Sequence, residues 1–247
     1  MKLRFVALSI LFCSSIYAGG GKEPEPGPIP SHRKPAAGAK VYAPPGKWNI
    51  KSIADTKKLA GSTASEKDGV IIWDLKGGIL DGKNQDGKCD QNEKNEPLFR
   101  AYAPIILKNG FVRNAKNGMY FSAKNSGVEK MTWLNICEDG IGTNKGAENL
   151  RIIDSEFINH SGNDKSIQLN EAKGAIIKGN LIYAGTTCMR VGASDVTAVS
   201  DVATVTNNRF VGCDTAIHAS KITVKRSGNK FTNVNTEEKS ANGAKFK

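Results

Sequence analysis

Cysteine in this 247-residue chain never occurs as a CxxC pair, leucine is sparse, and histidine is confined to His32, His160 and His218. The first absence argues against a structural zinc site, whose thiolate ligands come in close pairs. The second, together with the lack of a convincing helical segment between the β-rich runs, argues against a leucine-rich repeat. Beyond the extreme N-terminus no apolar run approaches the ~20 residues that a membrane-spanning helix needs. The acidic loop DGKNQDGKCDQNEKNE, residues 81–96, has neither the spacing nor the flanking helices of an EF-hand. It reads as a polar excursion from the main fold, which a disulfide through Cys89 would staple.

What is present begins with MKLRFVALSILFCSSIYAGGG. Lys2 and Arg4, the apolar run from Phe5 to Cys13 and the small residues ending at Ala18 have the layout of a secretory signal peptide cleaved after Ala18. Residues 19–46 hold seven of the nine prolines and read as an extended, disordered linker. Residues 47–247 are then one domain, long enough to bury a sizeable core. Without Lys2 and Arg4 the chain carries 33 basic and 24 acidic residues, a net charge of +9. The field of such a surface favours a polyanion, and because the charges are interspersed it does not choose among nucleic acid, cell-wall polymer and acidic polysaccharide. Four cysteines remain after the leader, Cys89, Cys137, Cys188 and Cys213. An even number in an exported chain predicts two disulfides, with three pairings open.

The segments NLRIIDSEFIN (149–159), GAIIKGNLIYA (174–184), VATVTNNRFVG (202–212) and KITVKRSGNKFTNV (221–234) share one grammar. Each has a β-branched run, a few polar residues with Asn, Asp or Gly, and a second apolar pair. The equivalent residues Phe157, Ile182, Phe210 and Phe231 are separated by 25, 28 and 21 positions. Repeats of that length point to a solenoid in which each turn leaves an apolar edge that only the next turn covers. The expected fold is all-β, a single-stranded right-handed parallel β-helix. Asn suits its bends because it tolerates left-handed backbone and its amide can pair with the next turn. A β-sandwich would not repeat one grammar four times. IADTKKLAGST reads as a short helix capping the N-terminal end of the stack.

Glu138 and Asp139 stand side by side in TWLNICEDGIGT (132–143), and two adjacent carboxylates repel unless a cation sits between them. With Asn117, one turn earlier in AKNGMYF, they offer hard oxygens of the kind that calcium takes. By itself a Glu-Asp pair is more often a solvated acidic turn. Lys165 in GNDKSIQLN and Arg190 in TTCMRVGA occupy matching places on successive turns, which predicts two cations side by side near the acidic turn.

Taken together, WLNICEDGIGT, GNDKSIQLN and CMRVG, with DGKNQDGKCDQNEKNEPLF and VRNAKNGMYF before them, resemble the small family-3 pectate lyases over about residues 75 to 220. The resemblance implies a compact parallel β-helix that cleaves polygalacturonate by calcium-dependent β-elimination. It implies Glu138 and Asp139 as calcium ligands, with Asn117 standing where the family has a third acidic ligand. It also implies Lys165 and Arg190 as the functional lysine and arginine; a further family lysine, three residues before the arginine, is Thr187 here.

The chemistry agrees. The C5 proton of a galacturonate is acidified when the adjacent carboxylate is neutralised, which a bound Ca2+ would accomplish. Arginine is a difficult base because its pKa is ~12 or higher, so Lys165 is expected to take the proton and Arg190 to hold the substrate carboxylate. A polygalacturonase would share the fold and substrate but needs paired carboxylates as acid and base, typically with a Gly-His-Gly element, and no histidine here lies between glycines. The non-enzymatic alternative is a secreted β-helix that binds anionic polysaccharide. The expected partner is pectate, not nucleic acid or a membrane, and the expected state a monomer.

Overall fold

The computed structural model describes residues 28–45, 48–83, 96–159, 164–193 and 195–247. The expected signal peptide, residues 19–27 of the expected linker, Cys89 with most of its loop, and His160 lie outside the described residues. No helix among the described residues is long and apolar enough to cross a membrane.

Apolar residues at every second position, separated by turn residues at each bend, make each turn a set of short strands with one face inward. A strand here pairs with the strand one turn later instead of its chain neighbour, and among the described residues every strand pairing is parallel except the hairpin Ala64–Lys67 with Val70–Asp74. The architecture is a parallel β-helix. The register follows the repeat. Tyr42, Leu80, Val112, Trp133, Phe157, Ile182, Phe210 and Phe231 form one unbroken column along the axis. All but Phe231 are buried. The Trp133 and Phe157 rings stack at 4.5 Å and the Phe210 and Phe231 rings at 5.4 Å, each pair contributing about 1 kcal/mol beyond its buried area.

The polar residues of the grammar have their own column. The amide oxygens of Asn180, Asn208 and Asn229 accept from the backbone N–H of Ser155, Asn180 and Asn208 on the preceding turns, at 2.8 to 3.0 Å. Their Nδ2 groups donate to the carbonyls of Ile152, Ile177 and Val205. Asp154, Gly179, Asn207 and Gly228, which precede Ser155, Asn180, Asn208 and Asn229, have φ between 48° and 72°, the left-handed conformation that bends the chain into the next strand. At 179 and 228 glycine has a second reason: a Cβ there would lie 2.2 and 2.1 Å from the side-chain oxygen of Asp154 or Asn207 one turn earlier.

The helix expected at IADTKKLAGST spans Ile53–Ala60. Ser52 caps it, its Oγ accepting from Asp55 N while Asp55 accepts in return from the Ser52 hydroxyl, a reciprocal arrangement of the capping-box kind. Trp73 Nε1 donates to Thr63 Oγ1 just beyond the helix, which fixes this cap over the aromatic cluster of Tyr42, Trp48, Trp73 and Phe99.

The proline-rich segment differs from the free linker expected for residues 19–46. Val41–Tyr42 pairs with Ile79 and Leu80 and so begins the solenoid itself. Arg33 donates to the carbonyls of Met131 and Asp154 and pairs with Glu156 at 3.1 Å. Proline supplies no N–H for a ladder, but one aromatic ring and one guanidinium fork suffice to hold the segment down.

Cys188 and Cys213 form a disulfide, and Cys137 is also disulfide-bonded. With a sequence separation of 25, the first closes a loop worth about 3.5 kcal/mol in the chain-entropy account.

Replacing Asn208 by Leu should destabilise the protein by about 3 kcal/mol or more, because it strips partners from Asn180 N, Asn180 Nδ2 and Ile177 O together. Asn229→Ala, at a half-buried position nearer the C-terminal end, should cost about 1 kcal/mol. Chemical denaturation checks both, and equal losses would contradict a ladder with a buried centre.

Candidate functional site

The backbone around GIGT explains its glycines. Gly118 N donates to Asp139 O at 2.7 Å, and Gly140 N donates to Lys165 O at 3.1 Å. These turns approach so closely that a Cβ on Gly118 would sit 1.8 Å from Gly140 O. A Cβ on Gly142 would meet the Tyr120 ring at 2.5 Å. The missing side chain at 142 is thus the space in which the Tyr120 ring lies, and its hydroxyl donates to Asp139 Oδ2 at 2.9 Å. Arg100 covers the ring at 5.3 Å.

Asn117, Asp139 and Lys165 fall on successive turns at one level of the stack, as the neighbouring pairs Met119 with Ile141 and Ile141 with Ile167 fix. Glu138 and Asp139 are buried. Asn117 Nδ2 donates to Glu138 Oε2 at 2.7 Å. Lys165 Nζ stands 3.9 Å from Asp139 Oδ1 and contacts Asp164 on its other side. Burial pushes the Asp139 carboxyl up to about 6 from its ordinary 3.8, against the opposing pull of the Lys165 charge and the Tyr120 hydroxyl.

Arg190 occupies a different level from the one expected. Lys165 is paired with Thr187, and the partner of Arg190 is Gln168. The inward residues impose this offset: Ile167 stacks on Met189 and Leu169 on Val191, so the two cations are set three residues apart along the ladder. They still share a field, since Lys165 and Arg190 both act on Asp139 and on His218. Thr187, where the resembled family has its second lysine, stacks directly beside Lys165.

Three residues of this face were not singled out from the sequence. Tyr120 holds Asp139. Gln168 and His218 flank Arg190 on the same outward row, which runs Tyr120, Gly142, Gln168, Arg190, His218, Lys239. His218 was legible in principle, because AIHA repeats the pattern of CMRV one turn earlier, with His218 at the place of Arg190. Burial, then the charges of Arg190, Lys239 and Lys165, hold its imidazole below the usual histidine range.

No family model matches the chain, and neither a curated protein nor a solved structure does. The fold therefore rests on its own strand register, and the resemblance to pectate lyases is one of motifs alone.

For calcium the donor set is of the right kind. Among the described residues no three His, Cys, Asp or Glu side chains gather as a metal group, so a site would rest on the carboxylates of Glu138 and Asp139 with the Asn117 amide oxygen. Asp139 Oδ1 is buried and accepts no hydrogen bond, with Lys165 Nζ 3.9 Å away, which leaves one hard oxygen for a cation. As arranged, Asn117 presents its Nδ2 to Glu138, so it would have to exchange that hydrogen bond for its oxygen.

An acid whose folded pKa is raised destabilises the fold once ionised: its favourable state is fully present below pH 3.8 and lost as pH rises through about 6. In chelator, Asp139→Asn should therefore be more stable than the parent at pH 8, by on the order of 2 kcal/mol, and the gap should close near pH 4. Thermal melts across that range test this, and a gap independent of pH would contradict the burial of an ionised Asp139.

Proposed function

We propose that the protein is a secreted calcium-dependent pectate lyase, cleaving (1,4)-α-D-galacturonan by β-elimination to 4,5-unsaturated oligogalacturonates. The observation that carries this reading is the meeting, on one face of the helix, of a buried carboxylate pair with Lys165 and Arg190. A glycosidase needs a second carboxylate as acid or base opposite the first; here the nearby Asp164 is itself engaged by Lys165, and the charges that draw on Asp139 are Lys165 and Arg190.

Glu138, Asp139 and the Asn117 amide would hold the Ca2+. When bound, that ion neutralises the substrate carboxylate and so acidifies the adjacent C5–H. Lys165 Nζ, having first given its own proton to solvent, takes the C5 proton as a neutral amine. The freed electron pair forms the C4–C5 double bond as the C4–O bond breaks, and the departing oxygen takes a proton from solvent. Arg190 holds the substrate carboxylate, a role suited to a planar guanidinium that keeps its charge. Tyr120 fixes Asp139 by one oxygen and leaves the other for the cation. The signal-peptide layout and the disulfide support an exported protein acting on extracellular acidic polysaccharide.

Purified protein mixed with polygalacturonate at alkaline pH should give the ultraviolet absorbance of unsaturated product, and chelator should abolish it. Lys165→Ala and Arg190→Ala should each lower turnover by at least a hundredfold while the variants remain folded. Absence of any calcium-dependent rise would leave a non-catalytic glycan-binding β-helix, and unchanged turnover in both variants would remove them from the site.

A further inference from the structure

Buried side-chain polar atoms without a hydrogen bond are few among the described residues, and three of them stand on consecutive rungs: Gln168 Oε1, Arg190 Nε and His218 Nε2. Such atoms carry a desolvation penalty that a folded chain ordinarily avoids. Their alignment is imposed from beneath. Ile167, Met189 and Ile217 on one side and Leu169, Val191 and Ala219 on the other are buried and in register, so the outward side chains between them stand in a row about 4.8 Å apart.

Charge narrows the ligand. Arg190 and the exposed Lys239 flank His218 on adjacent rungs, and Lys165 adds its field. Arg190 and Lys239, two rungs or about 10 Å apart, both direct positive field over His218, so an anion seated there is attracted by both. The bare groups are two N–H donors, with His218 in its Nε2–H tautomer, and one oxygen acceptor. A carboxylate accepts from the donors. The acceptor needs an O–H. A sulfate offers no proton to Gln168, a neutral sugar offers no anion to Arg190 and His218, and a methyl ester loses the charge. An acidic sugar with a free carboxylate and a ring hydroxyl satisfies all three.

We propose that Gln168, Arg190 and His218 grip one unesterified uronate residue without calcium, the same residue whose carboxylate Arg190 holds in the reading above, its carboxylate on Arg190 and His218 and a ring hydroxyl on Gln168. The proposal rests on the reading of the partner as an acidic polysaccharide. It adds a place where the glycan is gripped without calcium and a reason for methyl esters to be refused there.

The test is calorimetric binding of trigalacturonate to the full chain in chelator. Binding is expected, and His218→Leu and Gln168→Ala should each weaken it about tenfold, the loss of one hydrogen bond to a charged or hydroxylated ligand. His218→Gln, which keeps a donor in that place, should restore most of the affinity, a rescue that damage to the fold would not give. The fully methyl-esterified trimer should bind at least tenfold more weakly to the parent and be indifferent to His218→Leu. No binding in chelator, parent-like affinity in both His218→Leu and Gln168→Ala, or equal binding of the ester would overturn the subsite. Binding in chelator without turnover when calcium is restored would sink the lyase and support the subsite.

Discussion

Parallel strands one rung apart exchange evenly spaced hydrogen bonds, and that ladder by itself would tolerate a slip of two residues. Here the slip is blocked by what points inward. Moving one turn by two residues would unstack Trp133 from Phe157 and carry Asn180 and Asn208 away from the backbone N–H groups they satisfy. Two columns of different chemistry, one aromatic and aliphatic, one amide, must both stay in step. Every outward side chain inherits its position from them, including those of the candidate site.

That dependence accounts for what the sequence disclosed. Phe157, Ile182, Phe210 and Phe231 carry the repeat because inward positions have little freedom in size and polarity, and they stand in register as their spacing required. Asn180 and Asn208 were legible for the same reason. The helix Ile53–Ala60 was marked by its cap and its composition.

The site was legible only in part. The acidic turn, Lys165 and Arg190 announced themselves through motifs, but their relative height did not. Matching Lys165 to Arg190 by their place after a turn ignored the irregular length of the connections, whereas Ile167 over Met189 decides the offset. Tyr120 was hidden because its role depends on the empty space above Gly142, a property of two turns together. The segment 28–45 misled through its prolines: composition reports the lack of ladder donors, and docking here depends on Arg33 and Tyr42 instead.

The disulfide between Cys188 and Cys213 joins the two rungs that display Arg190 and His218. A covalent tie beneath them keeps the row assembled in the absence of any ligand, so that no ordering is left to be done at the moment of binding.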